Sequence, residues 1–320
     1  MTPPSTGQRL YSLDALRGFD MFWIMGAEAV VHSLATATGS PIWEAAAHQL
    51  SHPDWNGFRL YDLIFPLFLF LAGVATPYSV GRDLENGKSK QQMLLRVIRR
   101  GLVLVLLGII YNNGLVLKPL AEIRFPSVLG RIGLAYMFAN IIYLYTKQLG
   151  QIIWFCALLI GYWLLLSFTS APGFPMGDLT MEGNFASYVD RLIIPGHLHL
   201  TIHDPEGLMS LFAAIVQVLF GYFAGNYILT KGKTPAMLNG LFVAGCVLIF
   251  TGFCWDMVFP INKKIWTSSY TIYTTGLALL VISIMIYLIE FQERKGWWSR
   301  FFDVFGKNAL FIFRQIKAVL

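Results

Sequence analysis

Leu60-Tyr61-Asp62-Leu63-Ile64-Phe65-Pro66-Leu67-Phe68-Leu69-Phe70-Leu71-Ala72-Gly73-Val74-Ala75-Thr76-Pro77-Tyr78-Ser79-Val80 carries one carboxylate near its start and no further charged side chain. Roughly 20 apolar residues are what a helix needs to cross about 30 Å of hydrocarbon at 1.5 Å per residue. The stretch therefore predicts a membrane-spanning helix with an acid at its entrance. Similar apolar windows lie near 13–36, 101–117, 126–146, 150–169, 208–230, 236–258, 269–291 and 301–320. Together they predict an all-α, polytopic transmembrane helix bundle of about nine spans.

Composition agrees. Of 320 residues, 56% are hydrophobic and 13% charged, which excludes an ordinary soluble protein. The formal net charge is +6. In a membrane protein that excess reads as the positive-inside bias of cytoplasmic loops, and no nucleic-acid motif accompanies it, so the expected surroundings are the lipid bilayer and not nucleic acid. Arg82, Lys88, Lys90, Arg96, Arg99 and Arg100 outnumber Asp83 and Glu85 between the second and third windows, which places that connection in the cytoplasm. Alternation then puts the N-terminus inside and the acidic 170–207 connection outside, together with the loop that begins at His52. The first eleven residues have no apolar core, so a cleaved leader is not expected. Cys156, Cys246 and Cys254 lie in apolar segments without metal-ligand or CxxC spacing and read as small buried hydrophobes. With no tandem repeat or low-complexity tract, residues 1–320 read as a single domain. Gly221 and Gly225 form a GxxxG pair suited to close helix contact, and to a homodimer as a weaker reading.

The first window carries a polar stripe. At about 100° per residue, Asp14, Arg17, Glu28 and His32 fall within an arc of about 60° and extend over about 27 Å of one helix. An ionised side chain at mid-bilayer costs about 2.5 to 3.5 kcal/mol, so this face must meet protein or water. Internal ion pairing, with Asp14 and Arg17 at i, i+3, is one explanation. A polar-lined cavity linking the two sides is the other.

His52-Pro53-Asp54-Trp55-Asn56-Gly57 forms a short loop just before the Asp62 span. An imidazole at such a rim is suited to proton transfer near neutral pH. A loop histidine bonded to Asp54 or Asn56 is the structural alternative. Asp62 can fix the tautomer and orientation of an imidazole, or cap the helix it opens. Trp55 can stack on a sugar or sit in the interfacial aromatic belt, and Asn56 can bond hydroxyls. The loop 170–207 is long enough to be functional and is expected over the outer mouth. It ends in His203-Asp204-Pro205-Glu206-Gly207-Leu208, where Asp204 and Glu206 can attract a protonated amine or cap the next helix. His197, His199 and His203 precede them with irregular spacing, and no metal is expected. Arg131, a cation inside an apolar window, is expected either to hold an anionic substrate or to pair with a buried carboxylate. The Arg96, Arg99 and Arg100 cluster is a further candidate for phosphate binding, with the topological reading preferred.

Ser12-Leu13-Asp14-Ala15-Leu16-Arg17-Gly18, the His52 loop and Asp62-Leu63-Ile64-Phe65-Pro66 occur in order with four further motifs. These are Phe125-Pro126-Ser127-Val128-Leu129-Gly130-Arg131-Ile132-Gly133, Tyr188-Val189-Asp190-Arg191-Leu192, the Asp204-Pro205-Glu206-Gly207 segment, and Pro260-Ile261-Asn262-Lys263-Lys264-Ile265-Trp266. The set resembles the heparan-alpha-glucosaminide N-acetyltransferase family of membrane acyltransferases. The resemblance implies transfer of an acetyl group from cytosolic acetyl-CoA to the amine of a glucosamine-type sugar, or a glycan containing one, on the far side of a membrane. It places His52 at the catalytic position, with Asp62 beside it. His52 would act either as base or as acetyl carrier. Arg17 and Arg131 are the expected contacts to acetyl-CoA, and Asp54, Trp55, Asn56, Asp204 and Glu206 the expected contacts to the sugar. Two departures stand out. An Asn expected in the first span has no counterpart, with Glu28 nearby instead, and relatives continue past Gly306-Lys307-Asn308-Ala309-Leu310, so the chain reads as cut short at its C-terminal end. The short N-terminus is similar to the bacterial branch, which implies a bacterial cytoplasmic membrane. A polytopic transporter of sugars or protons is the main rival, since Pro66, Gly73 and Pro77 interrupt the second window. A catalytically silent membrane scaffold is the third reading.

Overall fold

The computed structural model describes residues 10–114 and 118–307, and within them the regular structure is helical. Among the described residues, six helices are long and apolar enough to cross a membrane: α4 (Leu60–Glu85), α6 (Val128–Tyr145), α7 (Gln148–Phe168), α9 (Leu211–Lys231), α10 (Pro235–Asp256) and α11 (Ser268–Phe291). They match six of the windows read from the sequence. The others are α1 (Tyr11–Phe22), α2 (Glu28–Thr38), α3 (Pro41–Gln49), α5 (Lys90–Asn113), α8 (Phe185–Ile193) and α12 (Trp297–Lys307).

Three expected spans fall outside the six. Window 101–117 lies within α5 up to Asn113, a helix that is long enough but whose first half carries Arg96, Arg99 and Arg100. Window 301–320 lies mostly outside the described residues. Window 13–36 is broken. Residues Trp23–Ala27 form a π-type turn between α1 and α2, and Gly26 there has φ 106°, a left-handed conformation that residues with a side chain rarely adopt. The regular 100° step cannot be carried across this kink, so the stripe does not continue from Arg17 to Glu28 and His32 as one helix face. On α1 itself, Arg17 lies 3.9 Å from Asp14 and donates to the Leu71 carbonyl at 3.2 Å.

Local sequence explains the helix starts. Ser89 accepts from the Gln92 amide while the Gln92 side chain returns to the Ser89 amide, a capping box that opens α5. Ser127, Thr234 and Thr267 cap α6, α10 and α11 by accepting the Gly130, Met237 and Tyr270 amides, with Pro235 in the first turn of α10. Helix α9 lies at the centre, packed on α4, α6, α7 and α11, whereas most of α7 and α10 faces outward. Lipid tails are as apolar as leucine, so helices here associate through close van der Waals fit. Gly73 on α4 faces Gly221 on α9, and a methyl group added at Gly73 would come within 2.0 Å of the Val218 carbonyl oxygen. Gly225 packs on Val74 in the same seam. The GxxxG pair is thus consumed inside the chain and supplies no surface for a second copy. The three cysteines are exposed on the outward faces of α7 and α10, not buried, because apolar residues of a membrane bundle also face lipid.

A core around Phe65, Leu69, Tyr162, Trp266 and Tyr270 holds the end of the bundle that carries the His52 loop. The 170–207 connection is tied to that end rather than free. His197 donates its amide to the Ile123 carbonyl at 3.0 Å, Arg124 and Gly196 form an antiparallel bridge, and α8 packs against α7.

Candidate functional site

The His52 loop is short and fastened at several points. The Gly57 amide donates to the Ile261 carbonyl at 2.8 Å, and the Asn262 side chain donates through Nδ2 to Asn56 Oδ1 at 3.0 Å. Arg59 donates to the His52 carbonyl at 2.9 Å. Each bond ties the imidazole-bearing backbone to the Pro260–Trp266 motif or to the start of α4. The ring is therefore presented by a scaffold and not by a loose loop.

Asp62 serves both roles that the sequence left open. Its Oδ2 accepts the Arg59 amide at 2.9 Å, which caps the first turn of α4, and its Oδ1 lies 2.6 Å from His52 Nδ1. The carboxylate is fully buried while the imidazole is nearly half exposed. A carboxylate so placed holds Nδ1 as the N–H and leaves Nε2 as the basic nitrogen. Tyr270 donates to the Asp62 carbonyl at 2.6 Å, and the Tyr61 ring lies 5.2 Å from the imidazole.

Lys263 completes the cluster, and sequence reasoning gave it no role. Its Nζ lies 3.3 Å from Asp62 Oδ1, 3.2 Å from His52 Nδ1 and 3.3 Å from His52 Nε2, so the amine sits against the imidazole ring. Burial pushes the Lys263 pKa below its ordinary value, opposed in part by the Asp62 carboxylate. The adjacent Lys264 lines the same cavity but turns its amine from the imidazole, donating to the Asp54 carbonyl and lying 5.8 Å from the centre of the Trp55 ring.

His52, Asp54, Trp55, Asp62, Lys263 and Glu206 line one cavity of about 640 Å³. Trp55 has its indole N–H on the Leu179 carbonyl at 2.8 Å and an edge on His203, which leaves its remaining surface on the wall. Asn56 is not on the wall, its amide being used to hold Asn262.

The two acids of the outer motif diverge. Arg124 donates to both Asp204 oxygens, at 2.8 and 2.7 Å, and to Glu206 at 2.5 Å. Asp204 also accepts the His199 and Glu206 amides, each at 3.0 Å, and is 1% exposed. Its oxygens are occupied, and only Glu206 reaches the cavity. Burial would raise the Asp204 pKa, yet the Arg124 guanidinium holds it below the usual carboxylate range. Arg124 itself lines the cavity and went unread in the sequence; its one visible signal was a cation beside Phe125-Pro126. His203 bonds Ser187 Oγ at 2.7 Å and the Lys264 carbonyl at 3.1 Å, so both of its ring nitrogens have partners within the chain.

A second cavity of about 1010 Å³ carries Arg17, Arg96, Arg99 and Arg100 on a largely apolar wall. Three helices line both cavities in succession. On α5 the second cavity uses residues from Leu95 to Leu107, and the first continues at Gly108, Tyr111 and Asn112. On α4 the change falls between Phe65 and Phe68, and on α6 Leu129 lines both. From Leu95 to Tyr111 the helix rises about 24 Å, close to the depth of the hydrocarbon layer. Arg131 belongs to neither wall. It is 3% exposed, donates to the Gly207 carbonyl at 3.2 Å and to Ser210, and stacks at 4.8 Å on Trp266. The partner of this cation is a set of carbonyl, hydroxyl and aromatic groups, which removes it from the surface that could touch a nucleotide.

The family model described as "Domain of unknown function (DUF5009)" matches residues 9–168. Heparan-alpha-glucosaminide N-acetyltransferase of Mus musculus is 27% identical over 371 aligned residues, which cover 98% of this chain and 54% of that protein. The Homo sapiens protein of the same name is 27% identical over 362 residues, covering 95% and 52%. The chain thus spans about half the length of the curated relatives it matches. With the family model covering half of its own length, the chain belongs to the DUF5009 family, and its sequence is similar almost throughout to the heparan-alpha-glucosaminide N-acetyltransferases.

Proposed function

We propose that this protein is an integral membrane acetyltransferase that moves an acetyl group from cytosolic acetyl-CoA to the amine of a glucosamine-type sugar at the opposite face, in a bacterial cytoplasmic membrane with the N-terminus inside. One observation carries the reading: an imidazole anchored by a buried carboxylate lines a cavity that is followed, along the same three helices, by an arginine-lined cavity. The chemistry needs both parts. Acetyl-CoA has a polyanionic head and a thin apolar-to-polar arm, and Arg17, Arg96, Arg99 and Arg100 offer cations for the phosphates where the arm could run past Leu129 toward His52.

At the other end the acceptor amine must lose a proton as it attacks. His52, held by Asp62 with Nε2 as the basic nitrogen, can take that proton, or can first accept the acetyl group and pass it on. Glu206, Trp55 and Asp54 are the wall groups suited to an amino sugar, the carboxylates by charge and the indole by its flat face. The sugar class rests on the names of the relatives alone.

The test is acetyl transfer from acetyl-CoA to glucosamine by the purified protein and by His52→Ala. Transfer by the unaltered chain and its loss in a folded variant support the reading. Full turnover by His52→Ala refutes the histidine assignment, and sugar or proton uptake into vesicles without thioester cleavage would replace the enzyme with a transporter.

A further inference from the structure

The placement of Lys263 goes beyond that reading while resting on it. An acceptor amine has to stand within reach of the imidazole and of the acetyl group brought to it. One amine of the chain already does: Lys263 Nζ is 3.2 Å from Nδ1 and 3.3 Å from Nε2 of His52. The side chain is 20% exposed and lines the same cavity, so an acetyl donor reaching His52 meets Lys263 as well. Burial favours its neutral, nucleophilic form. Lys264, one residue on, lines the same cavity and serves as an internal comparison because its amine is turned to the Asp54 carbonyl and the Trp55 ring and not to the imidazole.

We propose that Lys263 is a self-acetylation site, modified by the enzyme's own acetyl donor when no sugar amine occupies the cavity. The lysine nitrogen attacks the acetyl carbonyl carbon and a new C–N bond forms. The bond from that carbon to its leaving atom breaks, and the electron pair stays on the thioester sulfur, or on the imidazole nitrogen if His52 has been acetylated first. The ammonium proton released passes to the imidazole or the departing thiolate. The products are Nε-acetyl-Lys263 and the free thiol of coenzyme A. An amide is too stable to hand the acetyl group onward, and it removes the amine that stands 3.3 Å from Asp62. The modified chain is therefore switched off, and a bound sugar amine protects it by taking the acetyl group first.

The experiment incubates the purified full chain with isotopically labelled acetyl-CoA without sugar, then maps acetyl-lysine by peptide mass spectrometry and measures transfer to glucosamine. Label is expected to accumulate on Lys263 at least about tenfold over Lys264, and to fall about 10²-fold or more in His52→Ala. Transfer activity should decline in proportion to Lys263 occupancy, and glucosamine present from the start should prevent both changes. Lys263→Arg, with no acylable amine but with its charge kept, should show no decline on preincubation, whatever its starting rate. Active transfer with Lys263 unlabelled, or labelled no more than Lys264, overturns the self-acetylation alone. Absence of both transfer and label overturns it together with the acetyltransferase reading.

Discussion

His52 Nδ1 stands 2.6 Å from Asp62 Oδ1, and the carboxylate that holds it is buried beneath the ring while the imidazole reaches the cavity. The second Asp62 oxygen is fixed by the Arg59 amide. Replacing Asp62 with Asn should therefore keep the turn but lose the charge that selects the tautomer. Transfer is expected to fall about 10²- to 10⁴-fold in kcat, with a small change in acceptor KM. Steady-state kinetics on a variant shown to be folded in detergent checks this, and an unchanged kcat would reduce Asp62 to a helix cap.

Much of the architecture is legible in the sequence because hydrocarbon thickness sets a length that apolar runs must meet, and six runs meet it. The break at Gly26 is not legible, since glycine is common in membrane helices and only its φ reveals the kink. The His52 loop and Asp62 stand near one another in the chain and could be read as a unit. Arg124 and Lys263 could not, because their partners lie 80 and 211 residues away. Arg131 shows the opposite failure. A cation in an apolar run demands a partner, and sequence alone cannot say that the partner is an indole face and a carbonyl rather than a phosphate.

The arginines of the larger cavity can be tested by shortening the donor. If Arg96 and Arg99 meet the phosphates of coenzyme A, Arg99→Gln should raise the KM for acetyl-CoA about 5- to 30-fold, the effect of losing about 1 to 2 kcal/mol of charge-assisted contact. With S-acetyl-pantetheine, which lacks the nucleotide, the same variant should match the unaltered protein. Equal effects on both donors would mean that Arg99 acts on the fold or the topology instead.

Glu206 and Asp204 should separate cleanly. Glu206 is on the wall, so Glu206→Gln is expected to raise the KM for glucosamine more than that for acetyl-CoA. Arg124→Met leaves the Asp204 carboxylate buried without its guanidinium and should cost about 3 to 5 kcal/mol of stability. Thermal unfolding in detergent reads the second effect. A loss under about 1 kcal/mol would show that solvent or another cation reaches Asp204.

His203 and Asp190 give opposing pH dependences. Burial pushes the His203 pKa down to about 4 from an unfolded value near 6.5, so its contribution to stability is complete above pH 6.5 and is lost as pH falls through 4. Burial pushes the Asp190 carboxyl up to about 6, despite the Leu208 and Met209 amides that it accepts. Its contribution is complete below about 3.8 and is lost as pH rises through 6. Each change is on the order of 3 kcal/mol, so between pH 6 and 4 the two nearly cancel in the unaltered chain. Asp190→Asn removes the opposing term and should expose a loss of stability on acidification, which Asp190→Asn combined with His203→Gln should abolish. Unfolding temperatures of the three proteins from pH 7 to pH 4 check the sign, and a single variant that is as flat as the unaltered chain would show that His203 is not held neutral by the fold.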